Sequence, residues 1–196
     1  MIQNYDALDG VVTPEIQLAI VEKEFLFNGV TRYMDADDEL IEIARFIRNK
    51  ADHNSDINPE RIKYLYTTKA KKDGGRFISG TLSVRGDLEK MVNDEFDYIL
   101  IVHYKIWKSL DIENKVIQLD KILCGVDVST EEAKKSQVDS KEYLANMNFF
   151  GADTVLKSSE VINLGMMSIV EKEKEEKQNA KKGITTSAEE DVEGNE

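Results

Sequence analysis

The sequence predicts an α+β fold in which a small antiparallel or mixed sheet packs on helices. Arg61 to Thr67 alternates with the period of a strand, and Phe96 to His103 is the most apolar run of the chain, as a central strand would be. Ile112, Val116, Leu119 and Leu123 recur at helical spacing, which gives one helix an apolar face for that sheet to pack on. Between the two strands, Asp73-Gly74-Gly75 marks a turn from which Phe77 to Val84 returns as a further strand.

The elements follow in order. Residues 1–12 carry no pattern, and Thr13-Pro14 then opens a helix, with Thr13 as cap and Pro14 at the first position, where its missing N–H costs nothing. Ile16, Leu18, Ala19, Val21 and Phe25 make this a broad apolar helix that ends near Asn28-Gly29. Tyr33 to Glu39 opens the next helix. Its carboxylates lie at the positive end of the helix dipole, and Arg45, Arg48 and Lys50 lie near the other end. Leu40, Ile43, Ala44 and Ile47 form its buried stripe, and the acidic run lacks the alternating spacing and glycine of a calcium loop. Asn58-Pro59 breaks the chain before the first strand. Lys69, Lys71, Lys72 and Arg76 make a basic patch on the hairpin; without a Gly-Lys-Ser/Thr sequence opening a helix, they read as a solvated turn and not a phosphate loop.

Asp87 to Met91 reads as a short helix, Trp107 and Leu110 as a helical turn, and Asp111 as the cap of the helix at Ile112–Val126. A polar acidic stretch follows, and Tyr143, Leu144, Met147, Phe149 and Phe150 supply apolar anchors before Gly151. Val155 to Val170 forms a methionine-bearing helix that Glu171 to Lys182 extends as a charged one, and the polar, acidic residues from Gly183 onward have the composition of disorder. The expected organisation is an N-terminal extension with one helix (1–34), a central domain (35–152), a C-terminal helical extension (153–182) and a disordered tail (183–196).

Composition narrows the function. With 196 residues, 41% of them apolar, and a net charge of −12, the chain reads as a globular protein ill suited to neutralising nucleic-acid phosphates. Its acidity suits either a solvated surface or one complementary to a basic partner. No apolar run is long enough for a membrane span, the start lacks a signal pattern, and the single cysteine fits a reducing compartment, so the expected location is the cytoplasm.

Catalytic chemistry is hard to assemble from these residues. His103 ends a strand, and His53 lies in a polar helix-to-loop segment; neither has a second histidine at metal-ligand spacing. Cys124 could ligate a metal only with distant help, and it has no base near it in the sequence. Leu119 to Val126 has the shape of a His-Glu-x-x-His helix but holds Lys121, Ile122 and Gly125 where those three residues would sit.

Ile62-Lys63-Tyr64-Leu65, Lys69 to Gly80, Phe96 to Val102, Trp107, Leu119-Asp120 and Leu123-Cys124 resemble a family of phage metallopeptidases with a zincin-like fold, over roughly residues 38–152. In that family the helix segment reads Leu-Asp-His-Glu-Leu-Cys-His. The resemblance places Lys121 at the first zinc histidine, Ile122 at the general base and Gly125 at the second histidine. No catalytic residue, zinc ligand or other cofactor is therefore expected: zinc hydrolysis needs three protein ligands, an open water position and a base.

A scaffold of this kind that lacks its catalytic residues implies a non-catalytic phage protein that binds a host protein. In size, acidity and its low-proline, Lys/Asn/Ile-rich composition, the chain resembles inhibitors of host transcription from phages of Gram-positive cocci. The expected partner is the host RNA polymerase sigma factor or the adjacent polymerase surface. The alternative is an acidic inhibitor of a host nuclease or defence complex, acting as a DNA mimic; lysines scattered among the carboxylates count against it. The binding surface is expected at Tyr33, Asp35, Asp37, Asp38 and Glu39, which combine an aromatic anchor with charge.

Overall fold

The computed structural model describes residues 5–8, 33–86, 96–127, 134–135 and 140–190. In chain order the strands are β1 (Tyr33–Asp35), β2 (Ile62–Thr67), β3 (Lys71–Asp73), β4 (Arg76–Ile78), β5 (Gly80–Val84), β6 (Tyr98–His103), β7 (Val126–Asp127) and β8 (Lys134–Lys135). The helices are α1 (Asp38–Lys50), α2 (Tyr104–Ser109), α3 (Ile112–Leu123), α4 (Ser140–Phe150) and α5 (Ala152–Glu190). The fold is α+β. Its main sheet is mixed, in the order β1-β2-β6-β5, with β2 and β6 parallel and both outer pairs antiparallel.

Alternation builds the sheet. Ile62, Tyr64 and Tyr66 of β2 register with Tyr98, Leu100 and Val102 of β6, so six buried side chains share one face. Leu40, Ile43 and Ile47 of α1 and Val116, Leu119 and Leu123 of α3 are buried in the same core, which confirms both expected stripes. Asp111 caps α3 by accepting from the Asn114 N–H at 2.8 Å, as expected.

The pairing of strands departs from the simple hairpin. Asp73-Gly74-Gly75 does turn the chain, with Gly74 and Gly75 at positive φ, but it joins only β3 to β4. The expected return strand divides at Ser79, and β5 pairs with β6, not with β2. The buried Ser79 Oγ bonds Gln118 at 3.1 Å across to α3, so the break couples the strand to the helix.

Two boundaries also shift. Tyr33–Asp35 is strand and not helix start, because it pairs antiparallel with Leu65–Thr67 of β2. α3 ends at Leu123, and Val126 belongs to β7.

Gly151, at φ +91, separates α4 from α5. α5 then runs unbroken from Ala152 to Glu190, past the boundary expected at residue 183. Its charged half is rich in Glu, Lys, Gln and Ala, strong helix formers, and a single internal glycine costs only about 1 kcal/mol. Its first half belongs to the core, since Val155, Ile162 and Met166 are buried there. The expected helices at residues 13–29 and 87–91 lie outside the described residues. Among the described residues, no helix is long and apolar enough to cross a membrane.

Candidate functional site

α3 presents two different flanks. On one, Gln118, Lys121, Ile122 and Gly125 border a groove of about 520 Å³ whose other walls are β3–β5 and the start of α5. Lys71, Lys72 and Arg76 bring three further cations to this groove, against the single carboxylate of Asp73. The basic patch of the hairpin thus lines the groove. Lys121 Nζ reaches Ser159 Oγ of α5 at 3.5 Å, and Gln118 donates to Ser158 Oγ at 2.9 Å while accepting from Ser79. Ile122 abuts the strand: its Cδ1 would stand 3.0 Å from a Cβ placed on Gly80.

This groove holds the positions where the resemblance puts zinc, and the residues present do not fit that ion. A primary amine, an alkyl tip and a glycine replace two imidazoles and a base, and the surrounding cations disfavour a divalent metal. The one trio of metal-capable groups found among the described residues is His53, Asp120 and Cys124.

Of that trio, His53 and Asp120 lie outside the groove, and Cys124 borders it. Asp120 is fully buried, and its carboxylate accepts from Asn54 Nδ2 at 2.8 Å, from Asn146 Nδ2 at 2.6 Å, and lies 3.0 Å from His53 Nε2 through both oxygens. The His53 ring packs edge-on against Phe149. Sequence reasoning passed over His53 because its partner lies 67 residues away; only the 3-10 turn at Asp52–Asn54, which follows α1, brings it to α3.

His103 is structural. It caps α2 by accepting the Ile106 N–H on Nδ1, and its Nε2 meets the Thr68 carbonyl at 3.1 Å. Burial pushes its pKa below the ordinary histidine value, outweighing the Thr68 bond and Glu173, which act the other way.

The acidic residues expected to form a binding surface divide. Tyr33, Asp35, Asp37 and Asp38 are exposed, with Asp35 in a surface ion pair to Lys63 at 2.9 Å. Asp37 also accepts from the Tyr66 hydroxyl at 2.7 Å and from Lys108 Nζ at 2.6 Å. Burial, with the Asp37 carboxylate second, pushes the Tyr66 phenol well above its usual pKa.

Glu39 departs from the expectation outright. It is 2% exposed and accepts from Lys115 Nζ at 2.6 Å, Lys108 Nζ at 2.8 Å and the Trp107 indole at 3.0 Å. The first turn of α1 is thus locked to α2 and α3, and Glu39 is a core residue, not a surface one. The acidic start that reads as a helix-dipole feature also forms the α1 end of a buried charge network.

Residues 31–154 match the model of a family described as "Putative phage metallopeptidase". No curated protein and no solved structure matches the chain. The match spans β1 through α4 and the first residues of α5, and so includes both flanks of α3. On a match of this extent, the chain belongs to this phage metallopeptidase family.

Proposed function

We propose that the chain is a non-catalytic member of its family that binds a host protein, with the RNA polymerase sigma factor as its target, and thereby inhibits host transcription. The observation that carries the non-catalytic reading is the groove on α3. Lys121, Ile122 and Gly125 offer zinc no ligand, Ile122 packs on Gly80, and four basic side chains face the space a divalent cation would need. The core beneath is intact, and a fold retained without its chemistry is suited to recognition.

Two surface features support binding. The net charge of −12 complements the basic surfaces of proteins that contact nucleic acid, a class to which sigma factors belong. In addition, Leu156, Val161, Leu164 and Met167 are exposed on the side of α5 turned away from the buried Val155, Ile162 and Met166. Apolar anchors beside acidic residues are what a protein interface uses, with the methionine adaptable in shape.

The test uses the purified full chain with free sigma factor, core polymerase and holoenzyme from the host, followed by gel filtration and transcription from a sigma-dependent promoter. Comigration with sigma and loss of transcripts are expected. Peptide hydrolysis that a chelator abolishes would overturn the non-catalytic reading. Capture of a nuclease or defence complex in place of sigma would overturn the choice of target.

A further inference from the structure

We propose that His53, Asp120 and Cys124 form a zinc site distinct from the family's zinc positions on α3, with Cys124 also bordering the groove that holds those positions. Asp120 and Cys124 stand one helical turn apart, and His53 enters from the turn after α1. A ring nitrogen of His53, a carboxylate oxygen of Asp120 and Cys124 Sγ all lie within 4.8 Å of one another. Tetrahedral zinc, with bonds of about 2.0–2.3 Å, holds its donors roughly 3.3–3.7 Å apart. The His53–Asp120 pair, at 3.0 Å, opens by a few tenths of an ångström, and the thiol closes by at most about 1 Å.

The donor set and its surroundings suit the ion. Imidazole and thiolate select zinc over magnesium or calcium. One carboxylate and one thiolate would balance its two charges beside the fully buried Asp120 side chain. Asn54 and Asn146, themselves buried, each occupy one lone pair on a different Asp120 oxygen and leave the remaining pair on each directed at His53. They are the outer partners that orient a ligating carboxylate. Asn146 Oδ1 is a buried acceptor with no hydrogen-bond partner, and a water in the fourth zinc position would supply a donor to it. On binding, the Cys124 thiol proton passes to solvent, and the ligating nitrogen of His53 carries no proton. Zinc then clamps the turn after α1 to α3.

The test takes the full chain, stripped with a chelator, and titrates it with Zn²⁺ or Co²⁺ alone. One ion per chain is expected, with a Kd on the order of 1 µM or tighter. Co²⁺ should give thiolate-to-metal charge transfer and tetrahedral d–d bands. C124S should lose the charge-transfer band, and H53A should weaken binding about tenfold or more. K121A and I122A should leave affinity unchanged.

Cys124 is the single cysteine, so alkylation of the unaltered protein gives a readout that needs no variant. Zinc should slow it about tenfold or more. Absence of protection, or equal metal affinity in the unaltered protein, C124S and H53A, would overturn the site.

Discussion

Lys115→Met removes a cation from the core while keeping most of the aliphatic stem. Lys115 is 1% exposed, donates to Glu39 Oε1 at 2.6 Å, and lies 6.0 Å from the Trp107 ring centroid. Without it, Glu39 remains fully buried with one oxygen deprived of its cation, while Lys108 and the Trp107 indole still hold the other. Removing one partner of a buried pair costs about 3–5 kcal/mol, and the surviving contacts place this case near 3. At about 2–4 °C per kcal/mol for a chain of this size, the melting temperature should fall by roughly 6–12 °C.

The assay is urea unfolding followed by the fluorescence of Trp107, the only tryptophan and a member of the network. The midpoint should drop at unchanged slope. Glu39→Gln in the Lys115→Met background removes the stranded charge and should restore about half of the loss or more. A single-variant cost below about 1 kcal/mol, the level of an exposed ion pair, would refute the buried-network account, as would strictly additive effects in the double variant.

Gly80→Ala should destabilise by about 1–3 kcal/mol, because its Cβ would meet the Ile101 carbonyl at 2.5 Å and Val102 Cγ1 at 2.8 Å inside the sheet. Gly165→Ala should be near neutral in the same urea experiment, since its Cβ meets only the movable Ile106 Cδ1 at 2.6 Å and the helix gains about 1 kcal/mol of propensity. His103 has a depressed pKa when folded, so the unfolded chain binds the proton more readily, and stability should decline as pH falls below the unfolded value of 6.5. His103→Asn, which retains a capping acceptor, should flatten that decline in melts at pH 7.5 and 5.5; an unchanged slope would remove His103 as its source. Asp35→Lys with Asp38→Lys should slow association with sigma at low salt while leaving the melt within about 0.5 kcal/mol, both residues being exposed. An unchanged rate at low ionic strength would move the interface off this edge.

The strongest periodicities were legible from the chain alone. The α1 and α3 stripes, the central apolar β6, the Asp111 cap and the turn at Gly74-Gly75 depend on local pattern, and local pattern is what a sequence displays. The helix that carries Lys121 and Ile122 was legible too, from its apolar face.

Partners distant in sequence had to be decided by the fold. Tertiary structure paired β2 with β6 in parallel, turned Glu39 from a dipole-compensating surface acid into the acceptor of two buried lysines, and carried His53 across 67 residues to Asp120. A carboxylate at a helix start reads the same whether solvent or a lysine faces it. Which of the two it meets depends on the packing of α2 and α3 against α1, and no spacing within α1 records that.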